Sequence, residues 1–204
     1  TGEDKYRTWI TEYTNAWIKR VQENGGILPD NVGLSGKIGE YINGKWHGGY
    51  YGWTVYHGWG GYAQSTGMAA ENALLGTGDS VYLDLLRSQI DLLIGLGIAK
   101  NNTVYVPHKH GDPEKVVNAP LSFLPVLRNP DGTCQEVNGW FKFMPMDPVG
   151  PAHLWNMSMD LADLERSKKI RNHDPEARWS RDWERIESIS RFMSKDHGGH
   201  EAAW

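Results

Sequence analysis

The sequence predicts a mostly α-helical protein built from helical hairpins, with a small β-hairpin and long ordered loops. Apolar residues recur at three- and four-residue spacing in several separate segments of the 204-residue chain, which is the period of an amphipathic helix. Two such segments are joined by the short Gly-Thr-Gly link 76–78, as in an antiparallel helical hairpin. Strand-like runs are short and few.

The first helix is expected over 4–24, where a Gly-Gly pair ends the helical pattern. Its aromatic residues follow four-residue spacing and are assigned to packing, because such a stripe is more often core than ligand site. The stripe consists of Trp9, Tyr13, Trp17 and Val21.

A long ordered loop is expected over 27–51, which is rich in turn-forming residues and has no helical period. A short hairpin is expected within it, around Asn43-Gly44. Ordered loops of this length are usually functional.

Four further helices are expected after this loop. The first of them carries several glycines in its first half, each of which costs about 1 kcal/mol relative to alanine. These glycines must therefore serve close packing or function. The four helices are expected over 52–76, 79–95, 151–170 and 174–195.

One β-hairpin is expected from two short runs of β-forming residues. The run TVYVP covers 103–107, and the run WFKFM covers 140–144. The segment between them is rich in Pro, Asn and Gly, so the hairpin carries a long insertion between its arms.

Composition excludes several classes of function. The net charge of −4 gives no electrostatic case for nucleic-acid binding, and no apolar run approaches membrane-spanning length. The single cysteine, Cys134, excludes an internal disulfide and is expected to be a buried structural thiol. Ten Trp and nine Tyr against four Phe place the aromatic excess in rings that have a polar edge.

The stretch 44–71 is the main candidate site. It combines Trp46, Trp53 and Trp59 with several tyrosines, two histidines and many glycines. Trp and Tyr offer flat apolar faces with a polar edge, which suits them to sugar rings, and His57 is a candidate proton carrier near neutral pH. The stretch therefore indicates a carbohydrate site, and the alternative is a packing seam between helices without a ligand.

Two other histidine groups leave alternatives open. His108 and His110 could bind a metal, hold an anion in a basic patch, or lie in a plain surface loop. Two ligands do not make a metal site, so neither a metal nor a cofactor is expected. His153 and Asn156 lie one helical turn apart and either form a second wall of the cleft or satisfy each other at a helix end.

Several segments together resemble the α/α-toroid lyases of bacterial polysaccharide degradation, which act on uronic-acid polymers such as glucuronan and alginate. The resemblance covers roughly residues 24–204. The segments are NGGILPDNVG, GKIGEYINGKWHGGYYGW, TGDSVYLDLLRSQIDLL, VPHKHGD with GWFKFMP, and DHGGHEAAW.

The resemblance implies a partial (α/α) toroid, with 1–204 as a single domain that forms an incomplete part of a longer catalytic domain. It also implies a secreted or periplasmic protein, although no signal peptide opens the chain. The implied chemistry is β-elimination from an acidic polysaccharide, in which a base takes the proton next to the uronate carboxylate after that carboxylate has been neutralised.

The resemblance, together with the residue types, assigns expected roles to twelve residues. The catalytic candidates are His57, Tyr51 and His108. The substrate-binding candidates are Asn31, Lys45, Trp46, His47, Tyr50, Trp53, Tyr56, His110 and Asn156.

Two other functions remain open from the sequence. A glycoside hydrolase on the same scaffold needs two carboxylic side chains, for which Asp30, Glu40, Glu71 and Asp112 are candidates. A non-catalytic glycan-binding protein needs the aromatic faces alone.

Overall fold

The computed structural model of the chain describes residues 3–48, 53–54, 61–112, 136–146 and 149–170. The chain divides into two compact units. The first comprises Thr1–Leu96 and Pro107–Met144, and the second comprises Gly97–Val106 and Pro145–Trp204.

The described residues form five α-helices, one 3₁₀ helix and five β-strands. The helices are α1 (Asp4–Glu23), α2 (Gly61–Thr77), α3 (Asp84–Gly95), α4 (Val149–Ser158) and α5 (Leu161–Ile170), and the 3₁₀ helix is Ser80–Leu83. The strands are β1 (Trp53–Thr54), β2 (Ile98–Lys100), β3 (Thr103–His110), β4 (Glu136–Val137) and β5 (Trp140–Pro145).

The prediction of a mostly α fold, a partial (α/α) toroid, is wrong. The described residues form an α+β fold with a five-stranded sheet in the order β1-β3-β5-β4, in which β2 also pairs with β3. Three of these pairings are antiparallel: β1 with β3, β2 with β3, and β4 with β5. The predicted arms of the hairpin, β3 and β5, are neighbours in this sheet, and β1, β2 and β4 were not predicted.

Two tight turns explain the additional hairpins. Asn101 and Asn102 have φ values of 50° and 58° between β2 and β3, and Asn138 and Gly139 have φ values of 51° and 84° between β4 and β5. Two-residue hairpin turns of type I′ need positive φ at both central residues, which Asn and Gly tolerate best. An Asn-Asn or Asn-Gly pair directly before a β-forming run was therefore the sequence feature that could have predicted these two hairpins.

The glycine-rich helix starts later than predicted. The expected helix 52–76 begins at Gly61, and Trp53–Thr54 instead forms β1, where Trp53 pairs with His110 and Thr54 with Lys109. Glycine disfavours helix, whereas Trp and Thr are favoured in strands. The residues at Trp53–Thr54 therefore favour a short strand over a helix.

The expected helix 151–170 is divided into α4 and α5. Met159 lies between them with a φ of 52°, which no helix accommodates. The Asp160 carboxylate then accepts a hydrogen bond of 2.9 Å from the backbone N–H of Ala162 and caps α5. The expected helix 174–195 and Cys134 lie outside the described residues.

Two further expectations concern loop 27–51 and the capping of the next helix. At Asn43-Gly44 the backbone makes a turn with φ values of 57° and 77°, but the described residues around it form no hairpin strands. The sequence offers Asp79 or Ser80 as the cap of helix 79–95, and Asp79 takes this role, because its side chain accepts a hydrogen bond of 3.0 Å from the backbone N–H of Val81.

The core of the first unit is aliphatic and small. Helices α1, α2 and α3 contact one another. Alanines on α2 let its neighbours approach closely, and leucines and isoleucine of α3 fill the space between them. The buried residues of these two helices include Ala69, Ala70, Ala73, Leu85, Leu86, Ile90 and Leu93.

The aromatic stripe of α1 does not belong to this core as a whole. Val21 is buried, but Trp9 is 60% exposed and Tyr13 is 44% exposed. The assignment of the entire stripe to packing is therefore wrong, and the aromatic face of α1 is open to solvent.

A buried glutamine ties the long loop to α3. The Gln89 side chain is 2% exposed. Its Nε2 donates to the carbonyl of Gly26 at 2.8 Å, and its Oε1 accepts from the N–H of Leu28 at 2.8 Å. One side chain thus satisfies two backbone groups where the loop leaves α1 and fixes the direction in which the loop starts.

Replacing this residue tests whether the loop depends on it. Gln89→Leu keeps the volume but removes both hydrogen bonds, and we expect the free energy of unfolding to fall by about 1–3 kcal/mol. Chemical denaturation measures this loss. The control Thr11→Val removes exposed helix-internal hydrogen bonds of 3.0 and 2.9 Å to the carbonyls of Arg7 and Thr8 and should change stability less. Equal stability of wild type and Gln89→Leu would contradict the anchoring role.

Candidate functional site

The structure describes part of the predicted site. The side chains of His57, Tyr51, Tyr50 and Tyr56 lie outside the described residues, so their roles remain predictions. Trp53 is described as backbone alone, in β1.

Four aromatic rings converge beside the end of β3, and we call them the ring cluster: Trp46, His47, His110 and Trp140. The His110 ring centroid lies 4.7 Å from that of Trp46, 4.7 Å from that of His47 and 4.6 Å from that of Trp140. The two indole rings are 5.9 Å apart and tilted by 37°. Three of the predicted site residues are thereby brought together with Trp140, which was not predicted as a site residue.

The long loop presents Trp46 and His47 to the sheet. The backbone N–H groups of Asp30 and Asn31 both donate to the carbonyl of Trp46, at 2.9 and 3.2 Å. Gly39 lies directly against the backbone of Lys45, and a Cβ there would come within 2.6 Å of the Lys45 nitrogen. The loop therefore folds back on itself, and this fold sets the position of Trp46.

The turn between β4 and β5 places Trp140 next to His110, and Gly139 of this turn lies against the His110 ring. A Cβ on Gly139 would lie 2.6 Å from the carbonyl oxygen of Gly111 and 2.9 Å from Nε2 of His110. Glycine is needed here for space as well as for its φ of 84°. Gly111 also donates to the carbonyl of Gly139 at 3.0 Å, which holds the turn against the end of β3.

An ion pair joins the loop to the residue after β3. Nζ of Lys45 lies 2.7 Å from both carboxylate oxygens of Asp112, and Nε2 of His47 lies 3.8 Å from one of them. Asp112 is 8% exposed, whereas the Lys45 side chain is 48% exposed. A buried carboxylate with a half-solvated lysine as its partner fixes the loop and leaves part of the lysine accessible to a ligand.

His110 is electrically neutral at physiological pH. The pKa of His110 is lowered from 6.5 to about 4, chiefly by burial and then by the neighbouring His47, while a backbone hydrogen bond with Asn138 and the carboxylate of Asp112 partly oppose the shift. Nδ1 of His110 is buried and has no hydrogen-bond partner among the described residues. This nitrogen is therefore a buried polar atom that the described residues leave unsatisfied.

Next to the ring cluster lie two lysines and a buried histidine. His108 and Lys109 are each 7% exposed, in β3. Burial, followed by the charge of Lys142, lowers the pKa of Lys109 from 10.5 to about 8. Lys142 has a φ of 58° inside β5, a conformation that L-residues rarely adopt.

Asn31 and Asn156, two other predicted substrate-binding residues, lie in different parts of the structure. Asn31 lies in the loop next to the backbone of Trp46, and its Nδ2 is buried without a hydrogen-bond partner among the described residues. Asn156 is half-buried on α4 of the second unit, one turn from the exposed His153.

Sequence reasoning missed Trp140 as a site residue and did not pair Asp112 with Lys45. Trp140 was placed in a strand, and the Asn-Gly turn before it was the signal that would have brought it to His110. The ion pair joins residues 67 positions apart, which no sequence spacing indicates.

The described part of the chain holds no group of three or more His, Cys, Asp and Glu side chains that could bind a metal ion. Within the same residues, no helix combines the length and the apolar character that crossing a membrane requires.

A family profile described as "Domain of unknown function (DUF8034)" matches residues 1–204. The chain therefore belongs to this family. Among curated proteins and solved structures, no significant match was found.

Removing the ion pair should loosen the loop. Lys45→Met leaves Asp112 without its lysine, and we expect the free energy of unfolding to fall by about 1 kcal/mol, since Lys45 is half-solvated. The matched control is Lys168→Met, which breaks an ion pair of the same length, 2.7 Å, on an exposed helix face. Equal losses in the two variants, measured by urea denaturation, would show that Lys45 does not anchor the loop.

The lowered pKa of His110 predicts a pH-dependent stability. Between pH 6.5 and about 4 the unfolded chain binds a proton at this residue more readily than the folded chain does. The contribution of His110 to stability is therefore fully present above pH 6.5 and is lost as the pH falls toward 4. We expect His110→Gln to flatten this part of the profile, whereas His153→Gln, at an exposed histidine, should not. Parallel profiles for His110→Gln and wild type would contradict the shift.

Proposed function

We propose that this member of the DUF8034 family is a polysaccharide lyase, which binds an acidic, uronic-acid-containing polymer at the ring cluster and cleaves it by β-elimination. The observation that carries the proposal is the convergence of Trp46 and Trp140 on the neutral His110, beside a lysine held by a buried carboxylate.

The indole rings supply the sugar-binding part of the proposal. Indole faces stack on the apolar face of a pyranose ring, and indole N–H groups hydrogen-bond its hydroxyls. The partly accessible ammonium group of Lys45 beside these rings can donate hydrogen bonds to a sugar. Apolar faces with a few convergent polar atoms are typical of small-ligand sites.

β-Elimination needs a base and a cation. The base removes the proton from the carbon that carries the uronate carboxylate, the released electron pair forms a carbon–carbon double bond, and the bond to the leaving oxygen breaks. That oxygen takes up a proton from a nearby acid. Neutralising the carboxylate stabilises the negative charge that develops during proton removal.

The residues of the cluster fit these two roles. Lys45 offers a partly accessible ammonium group for the carboxylate. His110 is already deprotonated, and an anionic substrate bound beside it would raise its pKa toward neutrality, because an opposite charge favours the protonated form. Substrate binding would therefore strengthen His110 as a base. His57, Tyr51 and His108 remain the acid–base candidates predicted from the sequence.

A glycoside hydrolase is the second candidate, since three of its four carboxylate candidates, Asp30, Glu40 and Asp112, lie in the loop or contact it. Hydrogen bonds with Ser35 hold the pKa of Glu40 below its usual value, which disfavours the protonated acid there. Asp112 contacts Lys45, and the backbone N–H of Gly48 approaches Asp30 at 3.5 Å. A hydrolase needs one carboxyl group kept protonated, usually by burial. Asp30 is exposed and Asp112 faces a lysine, so neither environment favours the protonated acid.

An assay with two readouts distinguishes the candidates. The full chain is incubated with glucuronan, alginate and other uronate polymers, while ultraviolet absorbance of an unsaturated uronate and new reducing ends are recorded together. We expect both signals to rise. New reducing ends without absorbance would favour the hydrolase, and polymer binding without either signal would favour a non-catalytic glycan-binding protein.

Variants then assign the roles. We expect His110→Ala and His57→Ala to lower turnover by about 100-fold each if they transfer protons. Trp46→Ala should instead raise KM by about ten-fold with a smaller change in kcat, because it removes a stacking face. Tyr41→Phe, at an exposed loop position, serves as the control. Normal rates in His110→Ala would remove that residue from the mechanism.

A further inference from the structure

A second concave surface lies on the helical side of the first unit, and none of its residues belongs to the ring cluster. It is a groove of about 720 Å³ along α1 and α2. We call it the α1 groove; its lining includes Tyr6, Arg7, Trp9, Tyr13, Asn72 and Gly76. Its volume falls within the range of about 300–1,000 Å³ that is typical of small-ligand sites.

Three exposed aromatic rings follow one face of α1 in this groove. Tyr6, Trp9 and Tyr13 are 43%, 60% and 44% exposed. Steps of three and four residues place successive side chains roughly 4.5–6 Å apart along a helix axis. That repeat is comparable with the length of one pyranose unit in an extended glycan, so successive rings can contact successive sugars.

The rings form a corner instead of a flat platform. Tyr6 and Trp9 are perpendicular, at 87°, with centroids 5.5 Å apart. One ring thus offers a face where the other offers an edge. Perpendicular rings suit a single glycan chain that lies in a groove. Binding to the flat surface of a crystalline polysaccharide would require coplanar rings.

The charged residues that line the groove are Glu3, Asp4 and Arg7, and Lys5 beside them balances the excess negative charge. Lys5 pairs with Glu3 at 2.6 Å, and Arg7 pairs with Asp4 at 2.5 Å. These pairs leave no excess positive charge to attract an anionic polymer. They do supply hydrogen-bonding groups for hydroxyls, as does the exposed amide of Asn72.

The composition of the groove also favours a sugar over an apolar peptide. Peptide-binding grooves present aliphatic side chains to an apolar helix face. Among the described residues that line this groove, Ile10 is the one aliphatic side chain, and it is partly covered. The accessible apolar area is contributed by rings with polar edges.

We propose that the α1 groove is a separate binding site for a single, uncharged glycan chain, with Trp9 as its main stacking residue. The site is independent of the proposed lyase chemistry. It would hold the protein on a neutral polysaccharide while the ring cluster acts on an acidic one.

The test is isothermal titration calorimetry of the full chain with cellohexaose, xylohexaose and mannohexaose, and with a glucuronate hexamer as the acidic counterpart. We expect at least one neutral hexasaccharide to bind with an affinity that depends on Trp9, and we expect Trp9→Ala to leave the affinity for the acidic hexamer unchanged. Trp9→Ala should raise its Kd by about ten-fold or more, and Trp9→Phe by less, because a ring remains. Trp9 is exposed, so the fold should survive, as circular dichroism can verify.

Two matched variants locate the effect. Tyr41→Ala removes a 70% exposed aromatic ring from another segment, and Trp46→Ala removes an indole from the ring cluster. We expect both to bind the neutral hexasaccharide like wild type. This result would stand even if the chain had no lyase activity, so the two proposals fail separately.

Several results would overturn the proposal. These are the absence of binding to all three neutral hexasaccharides, unchanged affinity for them in Trp9→Ala, and an equal or larger loss of affinity for the acidic hexamer in Trp9→Ala. Self-association in sedimentation velocity that Trp9→Ala abolishes would assign the groove to a contact between copies of the chain. Should Trp9→Ala unfold, Trp9→Phe and Tyr13→Ala decide the question by the same criteria.

Discussion

The contact between Lys45 and Asp112 holds the candidate site together. It joins an irregular loop to the end of β3, and the positions of Trp46 and His47 against His110 depend on that connection. Backbone hydrogen bonds within the loop, such as those from Asp30 and Asn31 to the carbonyl of Trp46, give the loop its shape, and the ion pair fixes that shaped loop against β3. A buried carboxylate without its cation would be unfavourable, so the fold keeps the loop closed over the strand.

Local signals in the sequence identified most of the helices and missed most of the sheet. Periodicity and the cap at Asp79 report on neighbouring residues, and the predicted helix 79–95 corresponds to the 3₁₀ helix and α3. The sheet depends on pairing between distant segments and on positive φ at turns such as Asn138-Gly139. Helical periodicity, together with a resemblance of motifs, therefore favoured a toroid that the described residues do not form.

The candidate site was predictable in its members and not in its arrangement. Residue chemistry, together with the resemblance of motifs, pointed to Trp46, His47 and His110, because indole and imidazole groups suit sugars and proton transfer. Their convergence on Trp140 depends on a turn, and the neutral state of His110 depends on burial, neither of which spacing reveals. The aromatic stripe of α1 was wrongly assigned to packing for a similar reason. Its four-residue period indicates that the rings share one face of the helix, but the period does not indicate whether other residues cover that face.

Burial gives the ring cluster a property that an exposed histidine lacks. In water an imidazole titrates near pH 6.5, whereas His110 resists protonation until the pH approaches 4. Burial lowers this pKa because it disfavours the positively charged form of the ring. A negative charge placed beside the ring would favour that form and raise the pKa again. A neutral sugar would leave His110 a weak base, and a uronate would make it a stronger one. In the proposed elimination, discrimination between neutral and acidic glycans would then arise at His110 itself, in addition to the proposed contact of the substrate carboxylate with Lys45.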